Sequence, residues 1–231
     1  MEDSVDSSLP GPERAAAAAA RVKPLLAPAL AKHGLAVGDP VFLRAFKEEK
    51  ELEVWMQPDG ADRFVLFRTY PIAATSGKPG PKLAEGDRQV PEGFYYFSRR
   101  GLKSDSRFHL AMNIGYPNTY DRHHGRTGSF IMIHGNRVSI GCLAMTDPGI
   151  EEIYTLCDAA LAGGQRFIRV HLFPFRMTDA RMKEASSNHR WIEFWRNLKE
   201  GHDHFEQARV PPDTVVEGGR YGFRGADASL D

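Results

Sequence analysis

The chain has 231 residues, of which 42% are hydrophobic and 26% are charged, and these values are typical of a folded globular protein. Its 30 basic and 30 acidic side chains cancel, so the composition gives no reason to expect nucleic acid or an anionic membrane as a partner. No stretch is long and apolar enough to predict a transmembrane segment. The length fits one sizeable domain, or a small domain with an extension.

The N-terminal region is acidic at its start and rich in alanine afterwards. Residues 1–10 are small and acidic, which predicts disorder. Residues 13–33 have a helical composition, but Pro24 and Pro28 predict a break or kink. No secretory signal is visible, since the start is not basic and the apolar run 15–20 is short. Three interpretations stay open: a missing leader, a misassigned start, or a protein that stays inside the cell.

Strand signals begin after this region. Residues 41–46 and 52–56 are apolar-rich runs separated by the charged stretch 47–51, and this pattern predicts a β-hairpin. Residues 63–72 predict a third strand. A long stretch rich in Gly, Pro and Lys follows over residues 76–93, and a loop of this length is usually functional or mobile.

Further strands are predicted on both sides of a polar segment. The candidates are residues 94–97, 108–114 and 129–133. The segment 115–128 between the last two is polar and rich in turn residues, which predicts a loop.

A helix is predicted after residue 146. Asp147 can cap it and Pro148 suits its first turn, while Gly163 ends it. Apolar side chains recur along it at helical spacing, and Cys157 lies on that face. We therefore interpret Cys157 as a buried structural cysteine.

The C-terminal region combines one strand, one helix and a tail. Residues 167–175 predict a buried strand, and the apolar spacing of residues 191–198 predicts a last helix. From Pro211 onward the tail is predicted to be loosely ordered. Because strands dominate the middle of the chain, the pattern favours an α+β fold with a β-rich core over a doubly wound sheet.

The most informative segment runs from Ile131 to Met145. A predicted strand carries His134 at its end, and Cys142 follows a short loop, directly after Gly141. A cysteine attacks a carbonyl as the thiolate, and a nearby imidazole is its common base. Gly141 permits a tight turn, and the N–H groups around Gly141 and Cys142 could form an oxyanion hole. On these residues alone, Cys142 is either a nucleophile or a small buried apolar residue.

This segment resembles the catalytic motif of the L,D-transpeptidases of the YkuD type, and more closely that of the YafK-like branch of the family. The resemblance rests first on His134-Gly135 and on Ser139-Ile140-Gly141-Cys142. Four further segments support it: Gly80-Pro81-Lys82, Tyr116-Pro117-Asn118, Gly125-Arg126-Thr127-Gly128 and Pro174-Phe175-Arg176-Met177. Together these matches extend over about residues 41–182.

The resemblance implies a fold and a domain organisation. It implies a β-rich, sandwich-like catalytic domain with flanking helices, in keeping with the α+β pattern. We place the L,D-transpeptidase catalytic domain at residues 37–182. An acidic and Ala-rich extension, 1–36, would precede it, and a C-terminal helix and tail, 183–231, would follow it.

The resemblance also implies an activity. Cys142 would attack an amide at a meso-diaminopimelate residue of peptidoglycan and form a thioester, which an amine or water would resolve. His134 would be the proton donor and acceptor, while Ser139 and Gly141 would support the oxyanion and the loop. No cofactor and no metal are implied. The expected partners are peptidoglycan stem peptides or a peptidoglycan-attached protein, and the expected location is the periplasm or cell envelope.

The sequence departs from the broad family at two positions. Many members have a histidine where Ile140 stands and an arginine near the position of Ala144. Another cation is then needed to hold a substrate carboxylate, and Arg126, in a Gly-rich loop before the catalytic strand, is our candidate; it could equally be a solvated loop charge. The other candidates for substrate binding are Asn118, Tyr120 and Lys82.

Several other functional classes fit the sequence less well. A phosphatase would need an arginine six residues after the cysteine, where Pro148 stands. A papain-like protease presents its cysteine before its histidine, the reverse of the order found here. The pairs His123-His124 and His202/His204 lack the companions of known metal motifs. A non-catalytic peptidoglycan-binding module, in which the cysteine is incidental, stays open as the alternative.

Overall fold

The structure is a computed structural model, and it describes residues 4–185 and 189–224. The helices are α1 (Gly11–Ala31), α2 (Thr119–His123), α3 (Asp147–Ala162), α4 (Asp179–Ala185) and α5 (Ile192–Ala208). The strands are β1 (Val41–Phe46), β2 (Glu51–Met56), β3 (Val65–Pro71), β4 (Gly93–Phe97), β5 (Leu102–Lys103), β6 (Ala111–Asn113), β7 (Met132–His134), β8 (Leu143–Ala144), β9 (Ile168–Phe173), β10 (Asp213–Glu217) and β11 (Arg220–Arg224). Among the described residues, no helix is both long and apolar enough to cross a membrane.

Two sheets form the body of the fold, and they confirm the predicted α+β class with its β-rich core. The larger sheet has the order β3-β2-β1-β9-β4, and the smaller one has the order β5-β6-β7-β8. Every residue of β1 is buried, as suits a central strand covered on both faces. The predicted hairpin is β1 and β2, which pair antiparallel.

The smaller sheet positions the segment that carries His134 and Cys142. Strands β7 and β8 are parallel neighbours, with Ile133 opposite Leu143 and His134 opposite Ala144. Parallel neighbours require a connection that returns to the start of the strand. Here the short loop 135–142 makes that return and brings Cys142 to the head of β8.

Helix α1 is continuous, so the prediction of a break at Pro24 and Pro28 was wrong. The two prolines are four residues apart, and both are exposed. A proline removes one N–H bond from a helix, but on this face water can satisfy the freed carbonyl. The opposite face buries Ala18, Val22, Leu26 and Leu30 in the core, and that burial stabilises the helix.

The N-terminal segment is fastened to the domain, so disorder was wrongly predicted for residues 4–10; residues 1–3 lie outside the described residues. The N–H of Val5 donates to Glu151 at 2.7 Å. The Ser7 hydroxyl lies 2.9 Å from Nδ1 of His109. Arg14 donates to the carbonyl of His109 at 2.6 Å. These bonds hold the segment that leads into β6.

The C-terminal tail also contains structure that was not predicted. Residues 213–224 form the hairpin β10–β11, while residues 225–231 lie outside the described part. Tyr221 of this hairpin is buried and stacks on Tyr120, with ring centroids 4.3 Å apart. Asn197 of α5 bonds the backbone of Tyr221 through both its oxygen and its nitrogen. The sequence signal was Thr214 to Val216 followed by two glycines, which is a hairpin pattern.

The N-cap of helix α3 lies one residue earlier than predicted. Thr146 is the N-cap, and its hydroxyl accepts the N–H of Gly149 at 3.3 Å. Asp147 lies inside the first turn, where its carboxylate accepts the N–H of Asn136 at 2.6 Å. The helix therefore fixes the far end of the catalytic loop. Helices α2 and α4 were not predicted, since both are short and polar.

Candidate active site

His134 and Cys142 line one cavity of about 780 Å³. His134 ends β7, and Cys142 precedes β8 on the neighbouring strand. The backbone N–H of Met132 points at the Cys142 sulfur, with N and Sγ 3.4 Å apart. The two predicted catalytic side chains therefore share a chamber that is open to solvent at Cys142, which is partly exposed.

The orientation of His134 is fixed by the backbone. Its Nδ1 lies 2.6 Å from the carbonyl oxygen of Gly135. A carbonyl can only accept, so Nδ1 carries the proton and Nε2 keeps its lone pair. The ring is also covered by Phe108, whose centroid is 4.8 Å away. The sequence left open what orients His134, and the answer is a main-chain oxygen.

Burial shifts the pKa of both groups away from an ion pair. Desolvation lowers the pKa of His134, although the Gly135 carbonyl and the charge of Asp147 oppose this. Desolvation raises the pKa of the Cys142 thiol, although the Met132 N–H and the charge of Lys82 oppose this. At neutral pH the resting pair is therefore a neutral imidazole and a neutral thiol. A proton transfer must accompany attack by the sulfur.

The turn before Cys142 is held by two serines. Gly141 has φ of +90°, a conformation that favours glycine, and its N–H donates to the Ser76 hydroxyl at 2.6 Å. The N–H of Cys142 donates to the Ser139 hydroxyl at 3.0 Å, and that hydroxyl donates to the Cys142 carbonyl at 2.6 Å. Ser139 thus orders the loop. An oxyanion at this turn would compete with the two hydroxyls for these N–H groups.

The mouth of the cavity is apolar, a feature that the sequence did not reveal. Phe130, Val138 and Ile140 line it and are 66%, 57% and 76% exposed. Phe130 also has a φ of +53°, which is rare for an aromatic residue. Exposed apolar side chains gathered at a cavity mark an interaction surface. Ile140, noted above only as a departure from the family motif, is part of this rim.

Arg126 is half of a buried ion pair rather than part of the cavity wall. Its Nη1 lies 2.9 Å from Oδ1 of Asp121, whose carboxylate is fully buried. The guanidinium also lies 4.8 Å from the ring centroid of Phe194. Arg126 was predicted to bind a substrate carboxylate, but its guanidinium is already paired with these partners inside the fold. The Gly-rich sequence around Arg126 does not predict that Asp121 is its partner.

Asn118 and Tyr120 likewise have partners inside the fold. Asn118 caps α2 in a capping box with Asp121, and its amide donates to Phe94 and Tyr221. Tyr120 is buried against Tyr221. Neither residue lines the chamber that holds Cys142.

Lys82 belongs to the long loop 76–93 and influences Cys142 only through its charge. It is buried, and its Nζ donates to Asp87 at 2.7 Å and to the Ala84 carbonyl at 2.8 Å. It does not line the cavity, but its charge lowers the pKa of Cys142. Its action is therefore electrostatic, through the protein.

Two other cations do line the cavity, and sequence reasoning missed them. They are Lys103 on β5 and Arg107 in the segment before β6. Neither has a carboxylate partner among the described residues. No local motif marks them, because the pairing of β5 with β6 brings them to Cys142.

The candidate metal residues lie elsewhere. Nε2 of His124 is 2.9 Å from the Gly219 carbonyl oxygen, and Nδ1 of His202 is 2.9 Å from Asp203. Within residues 4–185 and 189–224, no three His, Cys, Asp or Glu side chains converge on a possible metal site.

Cys157 is buried in α3, as predicted, and burial raises the pKa of its thiol.

Comparisons with known proteins show which sequences and structures this chain is similar to. The model of the L,D-transpeptidase catalytic domain (YkuD) matches residues 46–172. YafK of Escherichia coli (strain K12), itself named only provisionally as an L,D-transpeptidase, is 48% identical over 185 residues, covering 80% of this chain and 74% of YafK. The K307A mutant of Pgp2, a helical cell shape determining protein of Campylobacter jejuni, aligns over 78% of this chain and 71% of its own with 18% identity and a TM-score of 0.49. The family match spans more than half of the sequence, and this chain belongs to the YkuD family of L,D-transpeptidase catalytic domains.

Proposed function

We propose that the chain is a cysteine-dependent L,D-transpeptidase or hydrolase that acts on meso-diaminopimelate-linked amide bonds of peptidoglycan. One observation carries the proposal: the Cys142 thiol shares a cavity with a His134 whose Nε2 is left as a base. Membership of the L,D-transpeptidase family supports the reaction class.

The chemistry requires two acyl transfers. Nε2 of His134 takes the thiol proton as Sγ of Cys142 attacks the amide carbon. The new imidazolium keeps its Nδ1–H on the Gly135 carbonyl, and its Nε2–H then protonates the leaving amine as the C–N bond breaks. This leaves a thioester on Cys142. An amine or a water then gives its proton to Nε2 and attacks the thioester carbon. The C–S bond breaks, and the Nε2–H returns the proton to Sγ, which restores the thiol.

Transpeptidation and hydrolysis share this acyl-enzyme and differ only in the second nucleophile. The apolar rim of Phe130, Val138 and Ile140 favours an amine carried on a chain that covers it, because a covered thioester is shielded from water. This supports a peptide or a peptidoglycan-attached protein as the partner of the second step. Such substrates lie in the periplasm or cell envelope, where we expect the protein to act.

Substrate carboxylates need a cation in the cavity. Lys103 and Arg107 are the described cations that line it, so we propose them in place of Arg126. A charge-assisted bond to a carboxylate is worth about 1.5–3 kcal/mol when it is shielded from water. Loss of one such bond should therefore be visible in KM.

The test is intact-protein mass spectrometry after incubation with purified diaminopimelate-type peptidoglycan fragments. We expect an acyl adduct on the wild type and on Cys157→Ala, which removes only the buried thiol, but none on Cys142→Ala. Muropeptide products then separate cross-linking from cleavage. Equal behaviour of the wild type and Cys142→Ala with every fragment would favour the non-catalytic binding module.

A further inference from the structure

A groove leads away from the catalytic cavity along the smaller sheet. The cavity that holds Cys142 shares Lys103 and Phe130 with a second cavity of about 500 Å³. This second cavity shares Tyr96, Pro117 and Arg122 with a third one of about 430 Å³, beside the β10–β11 hairpin. Because neighbouring cavities share lining residues, the three lie side by side on the surface, and together we call them the extended groove.

The charges along the extended groove are mostly basic, since Asp105 of the first cavity is the one carboxylate among the described residues that line the three cavities. Lys103 is half-buried where the first two cavities meet, and Arg100 and Arg122 are exposed farther along. None of the three has a carboxylate within 4 Å among residues 4–185 and 189–224, and the Arg122 guanidinium bonds only the Pro117 carbonyl and the Thr119 hydroxyl. A half-buried ammonium without a counter-charge lacks much of its hydration, so a bound anion would stabilise it.

Arg99 shows the contrast. It precedes Arg100 in the same 3₁₀ helix, but its guanidinium lies 3.3 Å from Asp158, a residue of α3. It lines none of the three cavities. Two adjacent arginines therefore differ in role: one is paired outside the groove, and the other faces it unpaired.

We propose that the extended groove binds a peptide chain that carries free carboxylates and is covalently continuous with the group attacked by Cys142. This rests on the proposed function and specifies its substrate as a stem peptide whose acidic portion extends past Arg100 to Arg122. Charge complementarity selects the occupant, because the groove offers cations at intervals. Its walls of Tyr96, Phe97 and Pro117 offer flat apolar contact to a peptide backbone between its charges.

The proposal explains how the chain can dispense with an arginine next to its cysteine. A cation beside the nucleophile binds only the carboxylate nearest the attacked bond. A row of cations can bind carboxylates farther along the peptide, and each such contact contributes modestly to the binding free energy at an exposed site. Selection by the groove would then depend on the length and charge of the peptide.

The test measures binding without turnover, on the full chain carrying Cys142→Ala. Fluorescence anisotropy would follow a labelled diaminopimelate stem peptide with free carboxylates and the same peptide with its distal carboxylates amidated. We expect Arg100→Glu/Arg122→Glu to weaken binding of the acidic peptide by about tenfold or more. The matched control Arg99→Glu should leave the affinity unchanged. Circular dichroism melts should first establish that all variants are folded, and Arg100→Gln/Arg122→Gln replaces the double reversal if it is not.

The outcomes separate this proposal from the proposed function. Unchanged affinity of the double variant, or equal affinity of the parent for the acidic and the amidated peptide, would overturn the groove assignment even if the wild type forms the Cys142 thioester. Peptide-free glycan strands that bind as tightly as the acidic peptide would overturn it in favour of a glycan. Charge-selective peptide binding without any thioester on the wild type would support acidic-peptide binding in the groove, but it would refute the catalytic proposal and, with it, the continuity of that peptide with a group attacked by Cys142.

Discussion

The Ser76 hydroxyl accepts the N–H of Gly141 at a distance of 2.6 Å. It also donates to the Arg88 carbonyl at 2.8 Å, so a single hydroxyl joins both ends of the long loop 76–93 to the turn that carries Cys142. The loop predicted to be functional or mobile is thus a support for the catalytic turn. It also occupies, in the resting protein, one of the two N–H groups predicted to bind an oxyanion.

We expect Ser76→Ala to loosen this turn without unfolding the domain. A single neutral hydrogen bond contributes about 0.5–1.5 kcal/mol, so the Gly141 amide should exchange its hydrogen up to about tenfold faster. Hydrogen exchange measured by NMR checks this. Ser98→Ala is the control, since Ser98 makes no side-chain capping bond in its 3₁₀ helix. Unchanged exchange at Gly141 in Ser76→Ala would show that the bond does not hold the turn.

The resting thiol of Cys142 should be protonated at neutral pH. Burial raises its pKa and lowers the pKa of His134, so neither group favours an ion pair. The thiolate absorbance, taken as the difference between the wild type and Cys142→Ala, should appear only above pH 9, the ordinary value. A thiolate signal near pH 6 to 7 would contradict this and indicate a resting ion pair.

Phe108 should control the hydration of His134. Its ring covers the imidazole at 4.8 Å, and desolvation is the largest cause of the lowered pKa of His134. Phe108→Ala should admit water and raise that pKa toward 6.5, its ordinary value. NMR titration of the ring protons measures the shift. The control Leu25→Ala, on the exposed side of α1, should leave the His134 titration unchanged. An unchanged titration in Phe108→Ala as well would show that the Phe108 ring does not shield His134 from water.

Arg126→Ala should act on stability before it acts on KM. Removing the cation leaves the buried Asp121 carboxylate unpaired, and breaking a buried pair in this way costs about 3–5 kcal/mol of unfolding free energy. Asp121→Asn added to Arg126→Ala should recover part of the loss. Arg196→Ala breaks an exposed pair with Glu193 and should cost less than about 1 kcal/mol. Urea denaturation measures all three. A fully stable Arg126→Ala protein with a raised KM would restore Arg126 as a substrate ligand.

His171 should make the protein sensitive to acid. It is buried between the rings of Phe42 and Phe94, its Nδ1 has no hydrogen-bond partner among the described residues, and desolvation holds its pKa well below 6.5. The folded state keeps it neutral, whereas the unfolded chain binds a proton as the pH falls below 6.5. The contribution of neutral His171 to the free energy of unfolding is therefore complete above pH 6.5 and declines below it, by at most about 2 kcal/mol at pH 5.

His171→Leu removes this titration and should flatten the pH dependence of stability. Denaturation at pH 7 and at pH 5 gives, for each protein, the decrease in the free energy of unfolding between the two pH values. Any cavity created by the leucine affects both pH values equally and therefore cancels in this difference. His33→Leu, a histidine that contacts the edge of Phe67 in an exposed position, is the control. Equal losses in the wild type and His171→Leu would contradict the prediction.

Local sequence patterns were sufficient to predict the features that are formed by residues close together in the chain. The loop between His134 and Cys142 is so short that chain geometry alone brings strand end and turn together. The spacing of α3 places Cys157 on an apolar face, and its burial follows from that. The hairpin β1–β2 follows from alternating apolar and charged runs. In each case the residues that interact are near in sequence.

Long-range pairing decided what the sequence could not. Arg126 and Asp121 are only five residues apart, but the network that buries their ion pair is completed by α5 and the C-terminal hairpin, which lie far along the chain. The N-terminal segment reads as disordered by composition, yet Glu151, Ser106 and His109 satisfy its polar groups. The prolines of α1 read as helix breakers, yet burial of the opposite face outweighs two lost hydrogen bonds.

The sequence by itself indicated the family and predicted His134 and Cys142 as the reacting pair, because the motif is local and its chemistry depends on residue type. Only the tertiary structure decided which cations face Cys142, which carbonyl fixes the tautomer of His134, and where the groove leads. These depend on which strands lie side by side, and strand neighbours such as β5, β6 and β7 are chosen by the packing of the whole core rather than by any single segment.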